Sequence, residues 1–147
     1  MDIVPEFWQW LVHLAQENKI KLPIEIYEEI VEGSSKDPLS LWVKSHKDDL
    51  ILKEIVNIDS VRRVVANGYS DDLTDSEIEQ LGRDPFLIAY SYTNNNYCIV
   101  TEEISKPKKT RQNRKVPDVC ETLGLKCIDT SKFIRELHFS TSWKKIA

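Results

Sequence analysis

Three acids carry the chemistry this sequence could do. Glu29 lies in IEIYEEI, Asp84 in RDPFLIA and Glu103 in IVTEE, each at the end of a strongly apolar stretch. Ends of strands and helices are where α/β folds place ligands. An acid just beyond a parallel strand, such as Glu102 or Glu103 after YCIV, points into the crevice where substrate collects, and one at a helix start can join it. Carboxylates gathered there repel one another unless a divalent cation neutralises them. Oxygen-only ligands select hard ions, and Mg²⁺ keeps near-octahedral geometry at about 2.0 to 2.1 Å with several waters, which leaves room for a phosphate oxygen. Such an ion can activate water and clamp a scissile phosphate.

Each acid also has a plainer reading. Asp84 precedes Pro85, the pattern of a helix cap. Glu29 shares its helix with Glu25, Glu28 and Glu32, the pattern of a solvated acidic face. The run KPKKTRQNRK is the one strongly basic segment: Lys106, Lys108, Lys109, Arg111, Arg114 and Lys115 occur with no acid among them. It reads either as a solvated loop or as a patch that steers RNA to an acidic mouth.

The rest of the composition excludes other chemistries. His13, His46 and His138 form no i, i+4 pair, so neither a histidine metal site nor a Ser-His-Asp arrangement is supported. Gly33, Gly68, Gly82 and Gly124 are the only glycines, too few and too scattered for a phosphate-cradling loop. Cys98, Cys120 and Cys127 are odd in number and sit in apolar stretches, which argues for free thiols and a reducing compartment. A net charge of −4 argues against bulk electrostatic binding of nucleic acid and leaves the local basic run as the route to it. No apolar run approaches the ~20 residues of a membrane span, and MDIVPEFWQW lacks the features of a signal peptide. A soluble cytoplasmic protein is expected.

The elements that must position these residues follow from periodicity. Phe7, Trp8, Leu11, Val12, Leu14 and Ala15 predict an amphipathic helix after Pro5, and Pro23 starts a second that stops near Gly33. Ile20 to Pro23 reads as an extended linker. Asp37-Pro38 caps a short third helix, Lys44 to Asp49 reads as a polar break, and Leu50 to Ala66 shows helical spacing interrupted around Asn57 to Asp59 and ended by Asn67-Gly68. Thr74 to Glu77 matches a capping box, and Asp84-Pro85 opens an apolar helix closed by Asn94 to Asn96. YCIVT and Leu125 to Ile128 read as strands on either side of a helix that Pro117 starts and Gly124 stops, and Thr130 caps the last helix. Helices alternating with short apolar strands predict a parallel sheet covered by helices, and a length of 147 residues fits one domain.

DIVPEFWQWL, IYEEIVEG with LSLWVK, DPFLIAYSY, IVTEE and KVPDVCETLGLKCID occur in the order seen in a bacterial family of PIN-like proteins, and the resemblance covers essentially the whole chain. It implies a single PIN-like domain over 1–147, a three-layer α/β/α fold with a central parallel sheet. It implies also an acidic site that binds Mg²⁺ or Mn²⁺ and hydrolyses RNA, and many members resemble VapC-type toxins of toxin-antitoxin pairs. Carried over by position, Glu29 is similar to the acid on the second helix, Asp84 to the acid opening the helix before the penultimate strand, and Glu103 to the acid after that strand, and the resemblance makes Asp118 in VPDVC a candidate outer metal ligand. Such proteins begin with a hydrophobic strand ending in an Asp-Ser-Asn type motif, whereas here Met1 directly precedes Asp2, so the domain is expected to be N-terminally shortened, lacking the first strand and its aspartate. Asp2 precedes a helix rather than following a strand and takes no catalytic role.

The expected function is a Mg²⁺- or Mn²⁺-dependent endoribonuclease with an RNA substrate, an antitoxin protein partner and a homodimeric state. The alternative is a catalytically degenerate PIN-like module that binds RNA or a protein partner without cleavage. A third reading treats the acids as caps and surface charge, and Trp8, Trp10, Trp42 and Trp143 as anchors of a protein interface.

Overall fold

A computed structural model of the chain describes residues 5–33 and 37–137; Asp2, His138 and Trp143 lie outside them. The described residues form a mixed α/β structure, mostly helical, in two compact units: one within Met1–Glu54 and Ile134–Ala147, the other Ile55–Phe133.

In the first unit, α1 (Pro5–Gln16) buries Trp10, Leu14 and Ala15, which recur on one helical face as the spacing predicts. Two further helices, α2 (Ile24–Gly33) and α3 (Pro38–Ser45), are joined by the buried Ser40, whose hydroxyl donates to the Ile30 carbonyl at 2.9 Å. The Asp37 carboxylate caps α3 by accepting from the Leu39 N–H at 2.9 Å. Beyond it, the expected polar break is the short helix α4 (Lys47–Leu50). The segment around Leu22 is extended, as read, whereas the stretch after Leu50 differs from its helical reading. Leu22 donates to Leu50 O (2.8 Å) and accepts from Leu52 N (3.0 Å), forming a parallel bridge between Leu22 and Ile51. Extended backbone wins over helical spacing here because pairing across the unit satisfies backbone groups that neither segment satisfies alone.

The second unit begins with α5 (Ile58–Val64), capped by Asn57, whose side chain accepts from Ser60 N at 3.0 Å. The helix does not end at Asn67-Gly68 as a turn. It widens into a π-helical turn over Val65–Tyr69, in which Ser70 N donates to Val65 O at 3.0 Å. Gly68 is needed there for closeness rather than for its φ: a Cβ on it would lie 2.6 Å from Val119 Cγ1.

Next come α6 (Asp75–Gln80), opened by the capping box of Thr74 and Glu77, and α7 (Asp84–Thr93). Apolar all round, α7 is the central helix: Pro85, Ile88, Ala89 and Tyr90 are buried. It packs on α5, where the Thr93 hydroxyl donates to Ser60 Oγ at 2.8 Å.

Two strands follow the forecast. β1 (Ile99–Val100) and β2 (Cys127–Ile128) pair in parallel, with Ile99 opposite Cys127 and Val100 opposite Ile128. A parallel pair needs a crossover, and α8 (Val116–Leu123) supplies it, ending at Gly124 with φ of 70°. The last helix, α9 (Thr130–Glu136), is capped by Asp129 rather than Thr130: its carboxylate accepts from Lys132 N at 2.8 Å. Val64, Ile88, Ala89, Val119 and Cys120 form the solvent-free centre of this unit. No described helix is long and apolar enough to cross a membrane.

Gly68→Ala should cost about 1 to 2 kcal/mol net, because the clash with the fully buried Val119 outweighs the roughly 1 kcal/mol Ala ordinarily gains over Gly in a helix. Urea unfolding measures it; an unchanged or raised midpoint contradicts the close approach of α8 to this turn.

Candidate functional site

The loop after β1 and the start of α8 exchange carboxylates. Glu103 on the loop accepts from the Val116 N–H at 2.8 Å, satisfying one of the donors that a helix start leaves unpaired. In return Asp118 on α8, only 4% exposed, accepts from the Ser105 hydroxyl and from the Lys106 N–H at 2.8 Å. Glu102 accepts from Thr130 N at 3.2 Å and so meets the start of α9. One oxygen of Glu103 is thereby anchored, and both oxygens of Asp118 are engaged in holding the loop.

The basic run divides into staples and exposed charge. Arg111, with φ of 54°, donates to Glu77 Oε2 (2.9 Å) and Oε1 (2.8 Å) and to Asp72 Oδ1 (2.7 Å). This fork ties the loop to α6 and to the turn before it and holds Glu77 down at a pKa of about 2, while the Ser70 hydroxyl first, and then the same fork, hold Asp72 below its ordinary value. Arg114 donates to the carbonyls of Gly68 and Asp118 (3.1 Å) and to Thr122 Oγ1 (2.8 Å). Its acceptors are neutral, so its charge is not cancelled by an ion pair among these contacts. Lys106, Lys108 and Lys109 are exposed on the same loop.

A cleft of about 260 Å³ opens beside this loop, built wholly from the second unit. Asp84 and Glu103 line it together with Lys109, Arg114, Lys115 and Tyr69. Three cations against two carboxylates leave it with a positive surplus. Asp84 is the first residue of α7, with Arg83 in the capping position, so its carboxylate sits at a helix N-terminus, where the dipole favours negative charge. Tyr69 is held at the cleft wall by the π-helical turn. Burial first, and then the charges of Asp84 and Glu103, push its phenol far above the ordinary value, with Arg114 opposing, so it stays a neutral donor.

The structure therefore gathers Asp84, Glu103, Lys109, Arg114 and Lys115 in one cleft, whereas Asp118, Lys106, Lys108 and Arg111 do not line it. Glu29 is exposed on α2 in the first unit. Sequence reasoning missed Tyr69, whose only signal was an aromatic residue directly after Asn67-Gly68. Among the described residues no group of three His, Cys, Asp or Glu side chains could hold a metal ion. Mg²⁺ is commonly held by one or two carboxylates with waters and substrate phosphates completing its shell, and Asp84 and Glu103 are the two carboxylates that line this cleft.

A protein-family model described as a domain of unknown function, DUF4411, matches residues 1–141. The chain belongs to that family. No curated protein and no solved structure matches it. In this DUF4411 chain the Glu77–Arg111 pair sets a pH dependence. A folded-state pKa depressed from 4.5 to about 2 means that the pairing stabilises above the unfolded value and that its contribution is lost as pH falls through about 2. Carboxyl-carbon NMR should find Glu77 titrating near 2; a midpoint near 4.5 contradicts the fork.

Proposed function

We propose that this cleft is the active site of a metal-dependent endoribonuclease of PIN-like type, with Asp84 and Glu103 holding the ion and Lys109, Arg114 and Lys115 receiving the RNA backbone. The observation that carries this reading is the sharing of one cleft by two acids, distant in sequence, with three cations on its walls. Mg²⁺ or Mn²⁺, when bound there, supplies Lewis acidity towards a phosphoryl oxygen and lowers the pKa of a water.

The chain's own residues supply position. The anchored oxygen of Glu103 fixes its carboxylate relative to α8, and the start of α7 fixes Asp84. Lys109 and Lys115 balance the phosphates, while Arg114 stiffens the wall by bridging the π-helical turn and α8. Lys106 and Lys108, exposed on the same loop, extend the field that draws RNA in. The three-layer α/β/α arrangement, the cytoplasmic setting and an antitoxin-like protein partner belong to the same reading, on the strength of the PIN-like resemblance.

Asp84→Asn should lower Mg²⁺-dependent cleavage of RNA by at least about a hundredfold, since the loss of a metal-holding carboxylate is worth several kcal/mol in the transition state, while the melting temperature stays near that of the parent. Cleavage that persists in Asp84→Asn defeats the assignment. A parent chain that binds RNA but never cleaves it points instead to the degenerate binding module.

A further inference from the structure

We infer that Tyr69 is a substrate-binding residue of this cleft, its hydroxyl donating a hydrogen bond to a phosphate oxygen of single-stranded RNA held among the cations Lys109, Arg114 and Lys115 that share the cleft. This rests on the cleft being the RNA site. Tyr69 is 8% exposed, lines the cleft, and among the described residues no group hydrogen-bonds its hydroxyl. A phenol that buries its ring normally finds a partner for its O–H. Tyr69 lines the cleft, and no buried side-chain oxygen among the described residues lacks a partner, so its hydroxyl is within reach of the open volume.

The chemistry of that volume selects an anion. Lys109, Lys115 and Arg114 supply positive charge, and Tyr69 adds a directional hydroxyl donor on the same wall. A phosphodiester presents two non-bridging oxygens, one for an ammonium and one for a hydroxyl. A cleft of about 260 Å³ admits one nucleotide's backbone, whereas a duplex is too wide to enter. Single-stranded RNA also exposes its backbone and bases for such local contacts. The position of the hydroxyl depends on the widened turn at Val65–Tyr69, of the kind often found at functional sites.

Binding of a fluorescein-labelled polyuridine oligonucleotide, measured by anisotropy on the full chain carrying Asp84→Asn, separates this inference from the reading beneath it. Adding Tyr69→Phe should weaken binding about tenfold, the effect of one hydrogen bond to a charged group, with an unchanged dependence on salt because a neutral donor releases no counterion. Adding Lys109→Gln should weaken binding and reduce the slope of log K against log salt by about 0.7. Inorganic phosphate should compete only weakly if the oligonucleotide backbone is the ligand; full displacement by phosphate at comparable concentration makes the site one for free phosphate and overturns the RNA assignment. If Tyr69→Phe binds like its parent while Lys109→Gln is weakened, the role of Tyr69 fails and the RNA site stands. If neither substitution changes binding, the proposed function fails with it. Should Tyr69→Phe melt early, the 3-fluorotyrosine-labelled chain decides by ¹⁹F NMR: the probe shifts the Tyr69 resonance, and tyrosine resonances that all stay in place overturn the inference.

Discussion

The reciprocal clamp between the loop after β1 and the start of α8 is the constraint on which the site depends. An acid of the loop, Glu103, satisfies a helix N–H, and an acid of the helix, Asp118, satisfies a loop N–H and a hydroxyl. Each carboxylate accepts from donors that would otherwise be left without partners, so neither segment can move without exposing the other's unmet groups. Through this exchange a short parallel pair, β1 and β2, gains a rigid exit, and Glu103 is delivered to the cleft in one orientation.

A second constraint couples the opposite wall to the core. The π-helical turn that ends α5 brings Gly68 against Val119 and Leu123, and the missing Cβ lets α8 come close. Arg114 then bridges the same two elements, donating to Gly68 O on one and Asp118 O on the other. Tyr69, the next residue, is buried among core side chains and lines the cleft with Asp84 and Glu103. Packing and electrostatics of the cleft are thus set by one short stretch of chain. Arg111, outside the cleft lining, ties the same loop to α6: its left-handed backbone is held by the fork to Glu77 and Asp72.

What the sequence made legible is local chemistry. The capping box at Thr74 and Glu77, the cap at Asp37, the strand at Ile99 and the Gly124 stop each follow from residues within a few positions of one another, and the structure shows each of them. Asp84 and Glu103 stood out for a related reason, because each lies at an element terminus beside an apolar run, and both line the cleft. Features that depend on distant partners were not legible. The bridge between Leu22 and Ile51 overrides the helical spacing after Leu50. The basic run looked uniform, yet Arg111 meets Glu77 and Arg114 meets Gly68, contacts that no local pattern encodes. Tyr69 acquires its place only once the turn widens and α8 packs against it.

The proposed function depends on Asp84 and Glu103 together seating one hard divalent cation. Calorimetric titration of the chain with Mn²⁺ tests it most directly. The account predicts saturable binding at one site in the parent, abolished in Glu103→Gln even though the glutamine oxygen can still accept from Val116. Binding that is absent from the parent, or equally strong in that variant, contradicts it.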